Sequence, residues 1–259
     1  MRKEITSTQN RIYKLCTQLS AKKYRDRENR YIIEGENLID EAIKCGAKID
    51  CIIFREGTTF NVNGVSQIDE YTMPEKLFNT LAQTETSQGI LAIVEKPPVD
   101  IESVKTKNKL EDNIVILDRL QDPGNIGTII RTADAAGYLA VITIKGTGDV
   151  FSPKVVRAAT GSVFRIPIIL VEDNRELLQL VTDLNKRLVA TAFDTDNFYY
   201  DQDLSKGIAL VIGNEGNGIS EELIQKADIK VKIPMEGNIE SLNASVAAGI
   251  LMYEAMRCK

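Results

Sequence analysis

The sequence contains no histidine among its 259 residues. This absence excludes a Ser-His-Asp triad, a Cys-His nucleophile pair and any histidine general base. If the protein is an enzyme, its acid–base chemistry must be carried by Asp, Glu, Lys, Tyr or Arg side chains, or by the substrate itself.

Cysteine is scarce, and its spacing is not that of a metal site. The four cysteines form no C-x-x-C pair, and there is no histidine to complete a mixed zinc site. We therefore expect four reduced thiols and no bound metal. The thiols are Cys16, Cys45, Cys51 and Cys258.

Long hydrophobic runs are also missing. No apolar stretch approaches the roughly 18 residues that a membrane-spanning helix needs, and the N-terminal segment MRKEITSTQNRIYKLCTQ lacks the apolar core of a signal peptide. Hydrophobic residues make up 43% of the chain and charged residues 27%, which is typical of a globular protein of one large domain or two ordinary ones. We expect a cytoplasmic enzyme or binding protein with no membrane partner.

The net charge of −5 argues weakly against a nucleic-acid partner, but the charge is unevenly distributed. Residues 1–35 contain nine Lys and Arg against four Asp and Glu, so this segment is +5 and the rest of the chain is −10. A basic segment on an acidic body is typical of a protein that binds a polyanion. The alternative is a solvated helix face with no binding role.

Hydrophobic patterns divide the chain into two domains joined by a polar linker. Residues 1–95 show a basic lead-in, then short apolar runs and segments with helical spacing, which predict a small α/β domain. We expect its first clearly periodic helix to end at Gly46. Residues 96–112 contain a Pro-Pro pair and no sustained periodicity, so we place the linker there.

Six short apolar runs follow in residues 113–259, and helical patterns separate most of them. This alternation predicts a parallel sheet covered by helices. Ligands of such sheets bind at the carboxyl ends of the strands, so the loops at that edge form the candidate site. The runs are NIVIL (113–117), LAVITI (139–144), FRIPIIL (164–170), RLVATAF (187–193), IALVI (208–212) and IKVKI (229–233).

The loop in LDRLQDPGNIGTIIRTADAAG is the first of three that concentrate glycine and polar residues. We expect a strand that ends at Asp118 and a helix that begins near Ile126. Asn125 is placed to act as the N-cap of that helix. Arg131 then lies inside an otherwise apolar helix. The alternatives for this side chain are a role in binding or catalysis and an ion pair with an acidic residue of a neighbouring element.

The stretch VIGNEGNGIS has the glycine content of a phosphate-binding loop but not the spacing of one. It lacks the G-x-x-x-x-G-K-[ST] of a P-loop and the G-x-G-x-x-G of a dinucleotide site. Its only charged residue, Glu215, would repel a pyrophosphate. The glycines allow positive φ or close approach of a ligand, so we expect a cationic ligand or one that presents hydrogen-bonding edges.

The third loop lies in IPMEGNIESLNASVAAGILMYEAMR. We expect a strand that ends at Pro234, a polar loop, and a helix capped by Ser241 or Asn243. The small residues of this helix favour close packing against another element, and its apolar stripe has helical spacing.

Together the three segments resemble the motifs of the SpoU (TrmH-type) RNA ribose methyltransferases of the SPOUT superfamily. NIGTIIRTADAAG is similar to the first motif, IGNEGNGIS to the second and IPMEGNIESLNASVAAGIL to the third, in the order of the family. ENRYIIEGENLIDEA and QGILAIV look like parts of the small substrate-binding domain that many members carry. The resemblance therefore covers nearly the whole chain.

This resemblance implies that residues 113–259 form an α/β methyltransferase domain with a parallel sheet and a deep trefoil knot, preceded by an RNA substrate-binding domain. It also implies S-adenosylmethionine as cofactor, methyl transfer to a ribose 2′-hydroxyl of RNA, and a homodimer whose subunits share the active site. The length of the N-terminal domain favours large-subunit ribosomal RNA, with transfer RNA as the alternative substrate. A non-catalytic RNA-binding module is the alternative function.

Five residues match the catalytic positions of the family. Asn125 matches the asparagine of the first motif and Arg131 its catalytic arginine. Glu215 matches the acidic residue of the second motif. Ser241 and Asn243 match the polar pair beside the reacting centre.

Five further residues match positions that the family uses to hold the cofactor. The resemblance implies that Gly213 contacts the cofactor through its backbone, and that Asn214 and Gly218 of the same loop contribute. It also implies that the backbone of Ile233 and Leu242 holds the adenine and methionine parts.

The group that accepts the proton of the ribose hydroxyl stays open at this point. This hydroxyl is a very weak acid, and the candidates are Arg131, Glu215 and an RNA phosphate. In the family the arginine is taken as the base, but a guanidinium with a pKa above about 12 normally keeps its proton. The alternative role for Arg131 is a bidentate clamp on a phosphate that orients the ribose.

Overall fold

The chain forms two compact units. The computed structural model describes residues 2–59, 68–84, 86–98, 101–192, 194–237 and 241–257. The first unit comprises Met1–Pro98 with Asp149–Phe164, and the second comprises Val99–Gly148 with Arg165–Lys259. Within the described ranges, no helix combines the length and the apolar character that a membrane crossing requires.

A five-stranded mixed sheet organises the first unit. Its strands are β1 (Lys3–Glu4), β2 (Arg30–Glu34), β3 (Ile49–Arg55), β4 (Asp69–Met73) and β5 (Ile90–Glu95). The helices are α1 (Arg11–Leu19), α2 (Lys22–Glu28), α3 (Glu36–Lys44) and α4 (Glu75–Phe78). The strand order is β1-β4-β3-β5-β2, and β5 runs antiparallel to both β2 and β3.

Side-chain alternation along these strands divides the core between the two faces of the sheet. One cluster contains Cys51 and Ile53 of β3 together with Cys16 of α1 and Phe78 of α4. The intervening strand residues, such as Ile52, are just as deeply buried on the other face. Helix α3 contacts β2 and β5 with buried residues outside the first cluster, so α1 and α3 cover opposite faces.

Three of the four cysteines lie among the described residues. Cys16, Cys45 and Cys51 form no disulfide. Burial raises the pKa of Cys51 to about 12 and raises that of Cys16 further, so both are inert thiols at neutral pH. Cys258 lies outside the described residues.

The second unit contains a six-stranded parallel sheet. In chain order its elements begin with α5 (Ile101–Lys107), β6 (Ile114–Asp118), α6 (Pro123–Ala135) and β7 (Ala140–Ile144); the chain then enters the first unit and forms α7 (Pro153–Ala159). The remaining elements are β8 (Ile168–Val171), α8 (Asn174–Asp183), β9 (Arg187–Thr191), β10 (Ile208–Gly213), α9 (Glu221–Lys226), β11 (Ile229–Val231) and α10 (Ala244–Arg257).

The strand order β11-β9-β10-β6-β7-β8 places β10, β6 and β7 at the centre. All five residues of β6 and of β7 are buried, which explains their continuous apolar runs. All six expected strands of this sheet are present and parallel, so the predicted α/β fold with a parallel sheet is confirmed.

Several element boundaries differ from the sequence-based expectations. The last strand ends at Val231, before Pro234, because the residues beyond Val231 no longer pair with β9. In the range 96–112, which has no sustained periodicity, helix α5 forms and buries Val104 in the core of the second unit. The polar lead-in folds into α1, which buries Cys16 and Leu19, and α2, which buries Arg25.

The segment Asp149–Phe164 is held in the first unit by polar and aromatic contacts. Arg25 donates hydrogen bonds to Asp149 from Nε at 2.8 Å and pairs with it from Nη2 at 2.6 Å. The ring of Tyr31 lies 5.0 Å from that of Phe151 between centroids. In α7, Arg157 donates from Nη1 to the Gln83 carbonyl at 2.7 Å.

Candidate cofactor and active site

The candidate site lies where β6 and β10 end side by side. The two strands are parallel neighbours, and Gly213 lies opposite Asp118 at their carboxyl ends. The loop after β6 carries the first glycine-rich motif and the loop after β10 the second. Parallel pairing therefore brings the two motifs together at the edge where such sheets bind ligands.

Helix α6 is capped by Asp122, and the expectation that Asn125 is the cap is wrong. Oδ1 of Asp122 accepts a hydrogen bond from the backbone N–H of Asn125 at 2.8 Å, and Pro123 is the first helical residue. The helix therefore begins before Ile126, because a proline loses nothing at a position whose N–H would be unpaired. Asn125 lies within the helix, and its side chain is free for another partner.

That partner is Glu215, which joins the two loops. Oε1 of Glu215 accepts hydrogen bonds from Nδ2 of Asn125 and from the backbone N–H of Asp122, each at 3.1 Å. Oε2 accepts a hydrogen bond from the backbone N–H of Gln121, also at 3.1 Å. The carboxylate thus satisfies donors from the loop after β6 and from α6 while belonging to the loop after β10.

These contacts set the charge state of Glu215. Partial burial acts to raise its pKa, but the hydrogen bonds from Asn125, Gln121 and Asp122 outweigh burial and hold the pKa below its ordinary value of 4.5. Glu215 is therefore ionised at neutral pH. A carboxylate of low pKa is a weak proton acceptor, so the geometry favours a role in holding the loops and keeping the site negative.

The loop 214–218 is closed by reciprocal backbone hydrogen bonds. The N–H of Asn214 donates to the carbonyl of Gly218, and the N–H of Gly218 donates to the carbonyl of Asn214, each at 2.9 Å. Oδ1 of Asn214 accepts from the N–H groups of Gly216 and Asn217 at 2.9 and 3.0 Å. The turn is thus internally satisfied and does not depend on a ligand for its shape.

Gly213 is required because the chain returns directly over it. A Cβ at this position would lie 2.3 Å from the carbonyl carbon of Gly218 and 2.4 Å from the backbone nitrogen of Ile219. No side chain fits at that distance. Gly218 has φ +68° and is therefore in the left-handed region that favours glycine.

Asp118 and Arg119 support the same loop, and reasoning from the sequence assigned them no role. Asp118 is 1% exposed; its Oδ2 accepts from the N–H of Ser220 at 2.7 Å, and its Oδ1 lies 2.5 Å from Nη1 of Arg119. The carbonyl of Arg119, at φ +59°, accepts from Nδ2 of Asn214 at 2.8 Å. The available signal was a carboxylate at the end of an otherwise apolar strand.

Arg131 lies on a different face of α6 from the buried Asn125. It is exposed on α6, in a stripe with Thr128 and Ala135. It lies six positions after Asn125 on the helix, which corresponds to about 9 Å along the helix axis. Its assignment as a catalytic residue therefore stays a prediction.

The third motif places its residues at the start of α10. Asn243 caps this helix: its Oδ1 accepts from the N–H of Ser245 at 2.9 Å and from Oγ of Ser245 at 2.7 Å. Ser241 is exposed, whereas Ile233 and Leu242 are partly buried. Residues 238–240 of the motif lie outside the described residues. Helix α10 packs against α6 and β10, so the third motif belongs to the same side of the sheet as the first two.

Comparison with known protein families identifies both parts of the chain. Residues 112–253 match the model of the SpoU rRNA methylase family, which is more than half of the chain. This protein belongs to the SpoU rRNA methylase family. Residues 10–92 match the MRM3-like substrate binding domain. The resemblance inferred from the three motifs is thus confirmed, as is the presence of an N-terminal substrate-binding domain.

Individual SpoU relatives match over almost the full chain. The protein is 37% identical over 254 residues to the 23S rRNA (guanosine(2553)-2′-O)-methyltransferase RlmP of Bacillus subtilis, covering 97% of this chain and 98% of RlmP. An AdoMet-bound rRNA methyltransferase from Sinorhizobium meliloti has a TM-score of 0.87 at 33% identity, covering 99% and 98% of the two chains. The SpoU methyltransferase AviRb from Streptomyces viridochromogenes, in complex with AdoMet, has a TM-score of 0.87 at 29% identity, covering 96% and 98%.

Other features of this SpoU methylase do not compete with the loop site. Among its described residues, no group of three or more His, Cys, Asp or Glu side chains could hold a metal ion. An open groove of about 450 Å³ lies between α5 and α8, and it shares no residue with the three motifs. Its lining is mostly charged, including Lys105, Asp173 and Arg175.

Proposed function

We propose that this protein is an RNA 2′-O-ribose methyltransferase that uses S-adenosylmethionine and modifies large-subunit ribosomal RNA. The observation that carries the proposal is the joint that Glu215 makes between the loops after β6 and β10. It assembles the first two family motifs at the ligand-binding edge of the sheet. The substrate follows the end-to-end similarity to RlmP, which is named for its action on 23S rRNA.

The loop residues fit the chemistry of S-adenosylmethionine, which carries cationic groups. Glu215 is ionised, and the loop 213–218 contains no Lys or Arg. Its three glycines leave the backbone open to close approach. We propose that Gly213, Asn214 and Gly218 hold the cofactor together with the partly buried Ile233 and Leu242. When bound, the cofactor supplies a methyl group on a good leaving group.

Arg131 is the residue that we propose acts on the RNA. Its guanidinium can grip a phosphate through two parallel hydrogen bonds, which would orient the neighbouring ribose for reaction. The exposed position of Arg131 on α6 suits a side chain that meets an RNA phosphate, so we favour this clamp over a role as general base. An RNA phosphate then stays the candidate proton acceptor.

The remaining polar residues position the loops. Asn125 and Glu215 hold the first and second motifs together, and Asn243 fixes the start of α10. Ser241 precedes that helix and is exposed, so its hydroxyl can reach the substrate. We therefore propose that Ser241 contacts the RNA, while Asn125, Glu215 and Asn243 act mainly through the geometry of the loops.

We also propose a homodimer that shares its active site between subunits. On α10, Val246 and Tyr253 are each 50% exposed and Met256 is 39% exposed, and their spacing places them on one side of the helix. A contiguous apolar stripe on a surface helix suits a protein interface. Contact with a second copy would supply Arg131 from the partner and would account for its separation from Asn125 within one chain.

The trefoil knot that the family resemblance implies is part of this proposal. The chain leaves the sheet at its edge strand β11, and α10 then packs against β10 and α6 near the centre of the sheet. A chain end that returns from the edge to the centre is compatible with passage through an earlier loop. Such a passage would fix the third motif beside the first two.

The division of labour between the domains follows the family matches. We propose that residues 1–95 bind the RNA substrate, that 96–112 link the domains and that 113–259 carry out methyl transfer. The matches at residues 10–92 and 112–253 support these ranges. We place the reaction in the cytoplasm, where ribosomal RNA of a bacterial type is available.

The test is transfer of a tritiated methyl group from S-adenosylmethionine to total RNA from a strain that lacks this protein. The RNA is separated by size and the labelled ribose is mapped. We expect label at a 2′-oxygen of the large ribosomal RNA. Label in transfer RNA instead would retain the chemistry and contradict the substrate. Cofactor binding without any label would favour the non-catalytic RNA-binding module.

A further inference from the structure

We propose that four unpaired cations on α1 and α2 form a phosphate-contact surface that holds RNA on the first unit. The surface consists of Arg11, Lys14, Lys22 and Lys23, and we call it the α1–α2 surface. It rests on the proposed function, because it names where the RNA of that reaction is held. Of the basic residues in the N-terminal segment, these four are the ones that we propose contact RNA.

Folding neutralises most of the positive charge that the sequence shows in residues 1–35. Five of the nine cations form ion pairs, and four of the five carboxylates that pair with them lie outside the segment. The pairs are Arg2–Glu70 at 3.0 Å, Lys3–Asp69 at 2.9 Å, Arg25–Asp149 at 2.6 Å, Arg27–Glu28 at 2.7 Å and Arg30–Asp50. A cation that already has a carboxylate partner gains little from a phosphate, because the pair must first be broken.

The other four cations have no such partner. Arg11, Lys14, Lys22 and Lys23 are exposed, and within the described part of the chain none of them makes an ion pair, a side-chain hydrogen bond or a ring contact. Residues 10–25 contain no Asp or Glu. The next carboxylate, Asp26, is engaged by Lys96 at 2.6 Å. Arg11 also lines a groove with Glu28, Asp50 and Asp69, but these carboxylates already pair with Arg27, Arg30 and Lys3. Within the described residues, no carboxylate is therefore paired with a cation of the α1–α2 surface.

The placement of these residues is not explained by helix stability. Arg11 and Lys14 are three residues apart and share the face of α1 that lies away from the buried Cys16. Lys22 and Lys23 occupy the first turn of α2, where the helix dipole is already positive and cations are unfavourable. A cost in stability at exposed positions points to a function for the charge.

The two helices are held in a fixed relation by a buried arginine. Arg25 is 4% exposed and donates from Nη1 to the carbonyls of Leu19 and Ser20 at 2.6 and 2.7 Å, in the turn between α1 and α2. Its other nitrogens are held by Asp149. The four cations therefore project from a rigid pair of helices, which lowers the entropy lost when they bind a phosphate backbone.

Contacts of Lys and Arg with phosphates position RNA without reading its sequence, and they release counterions. Each phosphate contact therefore adds to the salt dependence of binding. A surface of four such contacts should account for about three units of the slope of log K against log salt concentration. The change in this slope distinguishes the loss of specific phosphate contacts from a general loss of positive charge.

The experiment uses the full-length protein and an unmodified large-subunit ribosomal RNA transcript as the probe. The dissociation constant is measured across a series of KCl concentrations for Arg11→Gln/Lys14→Gln, Lys22→Gln/Lys23→Gln and the combined variant. The matched control is Lys44→Gln/Lys48→Gln, which removes two exposed charges, one at the end of α3 and one just before β3, that pair with Glu41 and Glu95. Thermal unfolding checks that each variant is folded, and methyl transfer is measured at saturating RNA.

We expect each double variant to lower the slope by about 1.5 and the combined variant by about 3, with an unchanged slope for the control. Methyl transfer at saturating RNA should stay within about twofold of the unmodified protein, because the reacting loops are untouched. An equal loss of slope in the control, or no loss in the α1–α2 variants, would overturn the proposal. If the unmodified protein binds the transcript with the expected slopes but transfers no methyl group, the proposed function fails and the surface stands.

Discussion

Gly213 and Glu215 control the site in opposite ways, although they are two residues apart. Gly213 acts by having no side chain, because the backbone at residues 218–219 occupies the space of its Cβ. Glu215 acts through a carboxylate that accepts three hydrogen bonds from the neighbouring loop. One residue lets the second loop close on itself, and the other fastens it to the first.

Replacing Gly213 with alanine should open the loop. The added Cβ would lie 2.3 Å from backbone, so the turn must shift, at a cost of about 1–3 kcal/mol in unfolding free energy. We expect cofactor affinity, measured by calorimetry, to fall at least about tenfold. Gly216→Ala is the matched control, because its Cβ would lie 3.6 Å from the nearest side-chain atom. Equal affinities for the two variants would contradict this account of Gly213.

Replacing Glu215 with glutamine should remove a pH-dependent contribution to stability. Because the folded pKa is lowered, the ionised carboxylate stabilises the fold at neutral pH. That contribution shrinks as the pH falls below 4.5, the ordinary value, and is lost below the folded pKa. We expect urea unfolding to show a deficit for Glu215→Gln at pH 7 that disappears toward pH 3. A deficit that stays constant over this range would mean that ionisation of Glu215 does not matter.

Helix α6 is the element that connects the site to the rest of the second unit. Asp122 and Glu215 accept hydrogen bonds at its N-terminus. Its buried face packs in the core, and its exposed face carries Arg131. Helix α10 packs against it and starts at the cap formed by Asn243. We therefore expect a small change at the start of α6 to alter the positions of residues in all three motifs.

Replacing Asp122 with alanine should weaken both the helix and the site. Loss of this cap costs about 0.5–2 kcal/mol in unfolding free energy. Asp173→Ala removes the equivalent cap of α8, where Asp173 accepts from the N–H of Glu176 at 2.9 Å. We expect similar losses in thermal stability for the two variants but weaker cofactor binding for Asp122→Ala alone. If Asp173→Ala weakens cofactor binding equally, the effect comes from general destabilisation.

At the scale of the whole molecule, the chain order and the spatial order differ. Residues 149–164 leave the second unit between β7 and β8 and belong to the first. The ion pair between Arg25 and Asp149 fixes this arrangement across 124 positions in sequence. The two units are thus not separable by cutting the chain once, and removing residues 1–95 would leave this segment without its packing partners.

Replacing Arg25 with methionine should therefore be strongly destabilising. The two side chains are 5% and 11% exposed, and removing one partner leaves a buried charge at a cost of about 3–5 kcal/mol. Asp149→Asn should lower the free energy of unfolding less in the Arg25→Met variant than in the unmodified protein. Urea unfolding of the single and double variants measures this coupling. Lys3→Met, which breaks an exposed pair, should leave the midpoint of urea unfolding almost unchanged.

Replacing Arg131 with alanine should lower the rate of methyl transfer about 100-fold or more, without loss of cofactor binding or of the dimer. Arg175→Ala, at another exposed arginine, is the control. Mixing Arg131→Ala with Gly213→Ala protomers should restore part of the activity if each site combines residues of both subunits. Near-normal turnover of Arg131→Ala would refute the catalytic assignment, and a lack of complementation would refute the shared site.

The sequence by itself determined the fold class, the family and the motifs. Strands buried on both faces leave continuous apolar runs, and runs separated by helical patterns specify a parallel sheet whatever the finer packing. The glycine-rich loop could be recognised because few residue types tolerate a chain that passes over its own backbone, as at Gly213. These features are local, so a linear pattern is enough to reveal them.

Only the tertiary structure decided which groups meet. It placed Asp122 at the cap that was assigned to Asn125, and it directed Asn125 to Glu215, 90 positions away. It placed residues 149–164 in the first unit and neutralised five of nine N-terminal cations with carboxylates mostly remote in sequence. Hydrogen bonds and ion pairs form between groups that folding brings within about 3 Å, and a linear sequence does not contain those distances.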